Sequence, residues 1–162
     1  MNKKVNYAWD STVILAWLAG DSTAPLDDIL EIVKEIDGGK ANLIVSVNAY
    51  SEVLEVKNSK RAMDRFRETL HRSNVIIADV TAAIALKAQQ IRDAGLRLKA
   101  KERRRIKTPD AQHMATAIIY KADVLHSLDN DMLQLNGSDI VDGLKIVKPV
   151  LFDGQRVIPF GS

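Results

Sequence analysis

Four acids stand where an α/β fold would need them for catalysis. Asp10 directly follows the apolar run Val5–Trp9, and Glu52 lies about one turn into a helix that follows the apolar run 42–47. Asp110 falls in the first turn of a helix opening at Thr108-Pro109, and Asp129 directly follows the run 124–128. In an open parallel sheet, ligands bind at the carboxyl ends of the strands. Four carboxylates gathered at one such edge repel one another, and burying them unpaired is costly. A divalent cation removes that cost. The donors are hard oxygens, which suit Mg2+ or Mn2+. Cysteine is absent, so thiolate ligands, disulfides and cysteine nucleophiles are excluded. The histidines His71, His113 and His126 are too scattered for a zinc site.

Each acid also has an ordinary reading. Asp10 can cap a helix. Asp110 sits where a helix dipole favours a negative charge. Glu52 has Glu55 one turn on, which suggests a solvated face, and Asp129 lies in an Asp-Asn-Asp turn where Asp131 could substitute for it. Singly, none outweighs its ordinary reading; together they favour a site.

The elements that would carry these acids alternate along the chain. Short apolar runs at 5–9, 42–47, 75–78 and 124–128 read as buried strands, with a fifth possible at 144–147. Between them lie helical patterns. One, capped by Ser11-Thr12, runs to Leu18 and stops at Gly20; one opens at Pro25 and ends at Gly38-Gly39. Others cover 48–56, 59–72 and 82 to about 94, the last capped by Thr81. Thr108 as cap with Pro109 in the first turn starts a helix to about Lys121. The expected fold is a three-layer α/β/α domain whose central, mostly parallel sheet has about five short strands. Trp9 and Trp17 fall in apolar patterns and belong to the core. Phe152-Asp153-Gly154-Gln155 reads as a turn between short strands.

Length and composition agree with one globular domain over 1–162. The chain is 46% hydrophobic and 27% charged, which argues against disorder. No apolar run approaches the ~20 residues that span a bilayer. Asp10 interrupts the apolar stretch behind the basic N-terminus, so a secretory signal is not expected and a cytoplasmic location is. The net charge is +2, yet residues 97–107 (RLKAKERRRIK) carry seven bases and one acid. That segment is +6, which leaves −4 on the rest. A mildly acidic body with one basic segment suits an anionic partner. Lys99, Lys101, Arg103, Arg104, Arg105 and Lys107, just before Asp110, are candidates to hold the anionic groups of such a partner near an acidic site that would otherwise repel them. The alternative is a solvated charged loop. Lys60, Arg61, Arg65 and Arg67 read as an exposed helix face, and His113 as a packed or surface side chain.

Four segments, in order, resemble the motifs of PIN domains. Tyr7-Ala8-Trp9-Asp10-Ser11-Thr12 and the apolar helix after it resemble the first, and Ser46–Leu54 (SVNAYSEVL) the second, with Glu52 as its acid. Thr108-Pro109-Asp110-Ala111 with His113 and Ala115-Thr116-Ala117 resembles the third, and Val124–Asp131 (VLHSLDND) the fourth. Ser127 stands where the family usually has threonine, and Met132 where it usually has phenylalanine. All four acidic positions are filled. The small single-domain form is most similar to VapC-like toxins of type II toxin–antitoxin pairs.

The resemblance implies an endoribonuclease dependent on Mg2+ or Mn2+. Asp10 and Asp110 would be direct ligands; Glu52 and Asp129 would complete the site directly or through water. Ser127 would hydrogen-bond a ligand carboxylate or the substrate phosphate. The resemblance further implies a homodimer, and a small antitoxin that wraps the toxin and places a basic residue in the acidic pocket. Two other readings within the family stay open: an RNA-processing nuclease without antitoxin, and a non-catalytic RNA-binding module. A receiver-type phosphoacceptor domain fits less well, because no acid pair marks the first strand.

Overall fold

The computed structural model describes residues 3–152. Five strands alternate with helices: β1 (Val5–Trp9), α1 (Ser11–Ala19), α2 (Leu26–Asp37), β2 (Ala41–Ser46), α3 (Val47–Glu55), α4 (Lys60–Leu70), β3 (Val75–Ala78), α5 (Ala82–Arg97), α6 (Thr108–Ile119), β4 (Val124–His126), α7 (Asn130–Leu133) and β5 (Ile146–Val147). The strand order is β3-β2-β1-β4-β5, and every pairing is parallel. A parallel sheet must be covered on both faces, and the pleat divides each strand between them. Tyr7 and Trp9 of β1 and Leu43 and Val45 of β2 enter one core with Ile29, Ile36 and Phe66 from α2 and α4. Ala8 and Ile44, between them in sequence, enter the other core with Ile84 and Ile91 of α5 and Met114 of α6. The expected three-layer α/β/α arrangement with about five short strands is therefore present.

Register aligns the ends of the central strands. Trp9 pairs with Val45 on one side and with His126 on the other. The residues just beyond these three positions therefore emerge together at one edge. Asp10 is the first of them, and Ser127 the last.

Several boundaries differ from expectation for identifiable reasons. The cap of α1 is Asp10, whose carboxylate accepts from the backbone N–H of Thr12 and Val13. Ser11 and Thr12 lie inside the helix, and their hydroxyls are used elsewhere. The cap of α6 is Lys107, without a side-chain bond, so Thr108 and Pro109 are its first two residues. Strand β4 ends at His126, with one further backbone bond from Ser127 N to Val147 O, because Leu128 N turns away to Thr12 Oγ1 at the start of α1. Helix α5 runs three residues past Ala94, to Arg97. The turn expected at Phe152–Gln155 lies beyond the described residues from position 153 on.

His126 makes the core pH-sensitive. Its ring is fully buried; Nδ1 accepts from Trp9 Nε1 at 3.1 Å, which places the proton on Nε2. Among the described residues Nε2 has no partner in hydrogen-bonding geometry, although the Val150 backbone is near enough to favour the charged ring slightly. Burial lowers its pKa from 6.5 to about 3. Below pH 6.5 the unfolded chain takes up a proton that the folded chain refuses, so stability falls with falling pH until about pH 3. The slope approaches 1.4 kcal/mol per pH unit, to order of magnitude. Chemical denaturation from pH 7 to 4 is expected to show a shallower acid limb for His126→Asn than for the wild type. Parallel limbs would contradict this assignment.

Candidate carboxylate centre at the strand ends

Asp10 is the centre of the edge. It is 2% exposed, and every oxygen it has is held. Oδ1 accepts from the Thr12 and Val13 amides at 3.0 and 3.3 Å and from the Thr12 hydroxyl. Oδ2 accepts from the Ser127 hydroxyl. Both hydroxyls are relays. Thr12 Oγ1 accepts from Leu128 N at 2.9 Å, and Ser127 Oγ accepts from Asp129 N at 3.0 Å. The loop after β4 is thus bolted to the start of α1 through the carboxylate. Burial raises the Asp10 pKa above the ordinary range, against the opposing effect of these donors. No lysine, arginine or histidine forms an ion pair with Asp10, Asp110 or Asp129 among the described residues.

Asp110 enters from α6, on the other face of the sheet. It is half-buried and accepts no side-chain hydrogen bond among the described residues. Burial raises its pKa first, and the negative charges of Asp129 and Asp10 raise it further. Asp129 caps α7, its Oδ1 accepting from Asp131 N and Met132 N at 2.8 and 3.2 Å. Asp131, the alternative in the same turn, is exposed.

Glu52 projects from α3 and is held apart from the other three. Its Oε1 lies 3.2 Å from His113 Nε2, and its Oε2 accepts from the Ser11 hydroxyl. The hydrogen bond from His113, with that from Ser11, keeps its pKa below the ordinary range despite partial burial. Glu55 is exposed and takes no part. Helices α3 and α6 are also tied by Asn48 and Gln112.

The structure therefore brings Asp10, Asp110, Asp129 and Ser127 to one edge, with Glu52 joined to it through Ser11 and His113. Ser11, Thr12 and His113 are the residues that sequence reasoning missed. The hydroxyls adjoin Asp10 in sequence, and His113 lies one turn from Asp110, but only the packing of α3 on α6 shows that His113 meets Glu52. As they lie, no three carboxylate or imidazole groups among the described residues enclose a point where an ion would sit. The donor chemistry nonetheless fits a hard cation. The oxygens carry negative charge, two of the acids are strained by burial or like-charge repulsion, and among the described residues no ion pair relieves them, Lys107 and His113 offsetting the burial of Asp110 only in part. Such an ion would keep several waters, as Mg2+ does.

Beside the acids lies a basic wall. The loop 98–107 presents Arg103, Arg104, Arg105 and Lys107 to a cavity of about 180 Å3, which Asp110 and Asp131 also line. Lys99 and Lys101 lie outside that cavity. None of these six bases pairs with a carboxylate among the described residues. Arg104 bonds instead to the neutral side chain of Gln134.

Solved structures share this fold. The chain is similar to a chain of VapBC2 from Rickettsia felis bound to a promoter DNA fragment, with a TM-score of 0.59 and 14% identity, covering 88% of this chain and 97% of that one. It is similar to a chain of FitAcB from Neisseria gonorrhoeae, with a TM-score of 0.57 and 14% identity over 88% of this chain and 97% of that one. A chain of FitAB bound to the IR36 DNA fragment gives a TM-score of 0.57 at 13% identity, covering 88% and 94%. No curated protein matches the sequence. The sequence profile of the PIN domain matches residues 7–137, a span that contains all four acids, Ser127 and the basic loop. On that match the chain belongs to the PIN domain family, whose members are generally nucleases dependent on divalent metal ions.

Proposed function

We propose that the protein is an endoribonuclease dependent on Mg2+ or Mn2+ that hydrolyses RNA phosphodiester bonds as the toxin of a toxin–antitoxin pair. One juxtaposition supports this reading: buried and half-buried acids that form no ion pair among the described residues, set against a row of bases that also pair with no carboxylate there. The acids suit a metal ion, and the bases suit a polyanion that the acids would otherwise repel.

Asp10 and Asp110 would hold the ion, with Glu52 and Asp129 completing the set directly or through water. When bound, the ion neutralises charge on the phosphodiester and lowers the pKa of water. The chain's own groups do the rest. Ser127 and Thr12 fix both oxygens of Asp10, so the carboxylate needs little rearrangement. Ser11 and His113 orient Glu52. Lys99, Lys101, Arg103, Arg104, Arg105 and Lys107 would draw the RNA backbone alongside Asp110.

The antitoxin, a small protein placing a basic residue in the acidic pocket, belongs to this reading, as does action in the cytoplasm. It also includes a homodimer; exposed Ile76 and Ile77 on edge strand β3 offer apolar surface for association. No helix among the described residues is long and apolar enough to cross a membrane.

The test is cleavage of structured and unstructured RNA by purified protein, with Mn2+ or Mg2+ and with EDTA. Cleavage is expected with metal and should be abolished by EDTA. Cleavage that persists in EDTA would contradict the reading. Removing an outer partner of a ligand typically costs tenfold to a hundredfold in metal affinity. Ser127→Ala is therefore expected to weaken Mn2+ binding by about that factor in calorimetry, whereas Ser127→Thr, which keeps the hydroxyl, should bind nearly as the wild type does.

A further inference from the structure

The basic loop is docked on α5 at one residue. Gly95 is buried within the last turns of that helix, two positions before its end at Arg97. A glycine inside a helix costs about 1 kcal/mol relative to alanine, so its presence there needs a reason. The reason is close approach. A Cβ at position 95 would stand 2.9 Å from the Arg104 carbonyl oxygen and 3.1 Å from Ile106 Cδ1. The first of these is a backbone atom and cannot swing aside.

Three bonds hold the loop in the same place. Arg104 N donates to Gly95 O at 3.0 Å. Arg92, one turn earlier, donates from Nε to Ile106 O at 3.2 Å. The Arg104 guanidinium reaches Gln134, just after α7. Ile106 is 8% exposed and anchors the loop in the core of that face. The bases on either side, Arg103, Arg104, Arg105 and Lys107, are thereby held facing the cavity beside Asp110.

We propose that Gly95 and Arg92 are positioning residues for RNA: they latch the loop so that its bases meet successive phosphates of a single strand entering the carboxylate centre. Preorganisation matters because arginine and lysine side chains on a free loop would lose backbone and rotamer entropy on binding. This inference rests on the RNA-cleaving reading above. It predicts a particular division of effects. Releasing the latch should weaken RNA binding and leave metal binding and chemistry intact, since among the described residues no bond from Gly95 or Arg92 reaches an acid.

The test compares wild type, Gly95→Ala and Arg92→Met. The second keeps the packed stem and removes the donor together with its charge, so it serves if the first fails to fold, and Gly95→Ala and Arg92→Lys, which keep the charge, separate the latch from a simple loss of charge. Each is measured for KM and kcat with Mn2+, and for affinity to a short fluorescein-labelled single-stranded RNA in EDTA across a salt series. Both variants are expected to raise KM and RNA Kd about fivefold to tenfold at unchanged kcat. The slope of log affinity against log salt should fall by about one to two, as one or two phosphate contacts are lost. Mn2+ affinity should not change. Arg92→Lys should recover part of the loss. Wild-type RNA binding with both variants unchanged overturns the latch and leaves the RNA reading standing. Failure of the wild type itself to bind RNA overturns that reading, and the latch with it. Loss of kcat or Mn2+ affinity in the variants would show that the contact supports the site as a whole rather than the RNA path.

Discussion

Asp110→Asn is expected to lower kcat for RNA cleavage by about three orders of magnitude, or about 4 kcal/mol of barrier. The fold should be untouched. Asp110 accepts no side-chain hydrogen bond among the described residues, and its charge is opposed by Asp129 and Asp10. Removing that charge relieves repulsion, so the melting temperature should hold or rise while activity disappears. Asp10→Asn should show the same loss of activity. It is a cleaner probe than alanine, because asparagine still caps α1 and still meets Ser127; alanine would forfeit the cap, at about 1 kcal/mol. Circular dichroism melting beside steady-state kinetics separates the two effects. A variant that retains a tenth of wild-type kcat would show that Asp110 is not needed for chemistry.

The second large effect concerns stability. Trp9 is 2% exposed, packs edge-on against Trp17 at 6.2 Å between ring centroids and donates to His126. Trp9→Ala would remove a large buried ring, at about 3–5 kcal/mol. It would also leave the buried Nδ1 of His126 unpaired, adding about 1–3 kcal/mol. Against a typical total of about 5–15 kcal/mol, that leaves little. The variant is expected to be largely unfolded, or to melt far below the wild type in urea. Trp9→Phe, which keeps most of the packing, should lose about half as much. Asp10 is the next residue, so activity should fall with Trp9→Ala even in whatever fraction remains folded. A Trp9→Ala protein with a wild-type urea midpoint would contradict the packing described here.

The end of the first strand was readable because local chemistry marks it: the run 5–9 is short, apolar and closed by Asp10. The run read as 124–128 ends as a strand at His126, two residues early, yet a parallel sheet still turns both endings into one edge. Residue periodicity also marks the two faces: Tyr7 and Trp9 go one way, Ala8 the other. The residue pattern alone did not choose between neighbouring acids; the family resemblance named Glu52 and Asp129. Glu52 and Glu55 share a helix one turn apart, and Asp129 and Asp131 share a turn. Burial against α6 and the cap of α7 select Glu52 and Asp129, and those are tertiary facts. For α1 two caps were legible, Ser11-Thr12 and Asp10 itself, and the sequence did not choose between them. Ser11-Thr12 has the composition of a cap, but Asp10 takes that role while the hydroxyls serve the acids. His113 has no sequence signal that separates a packed ring from one aimed at Glu52. The latch at Gly95 was equally hidden, since a glycine in a helical pattern reveals nothing of the loop that lies on it.

The measurement that tests the central claim most directly is Mn2+ binding by calorimetry to the wild type and to Asp10→Asn at neutral pH. The account predicts a saturable site in the wild type and its loss, or a weakening of at least about a hundredfold, in the variant. Equal binding by both proteins, or none by the wild type, would contradict a metal centre at these strand ends.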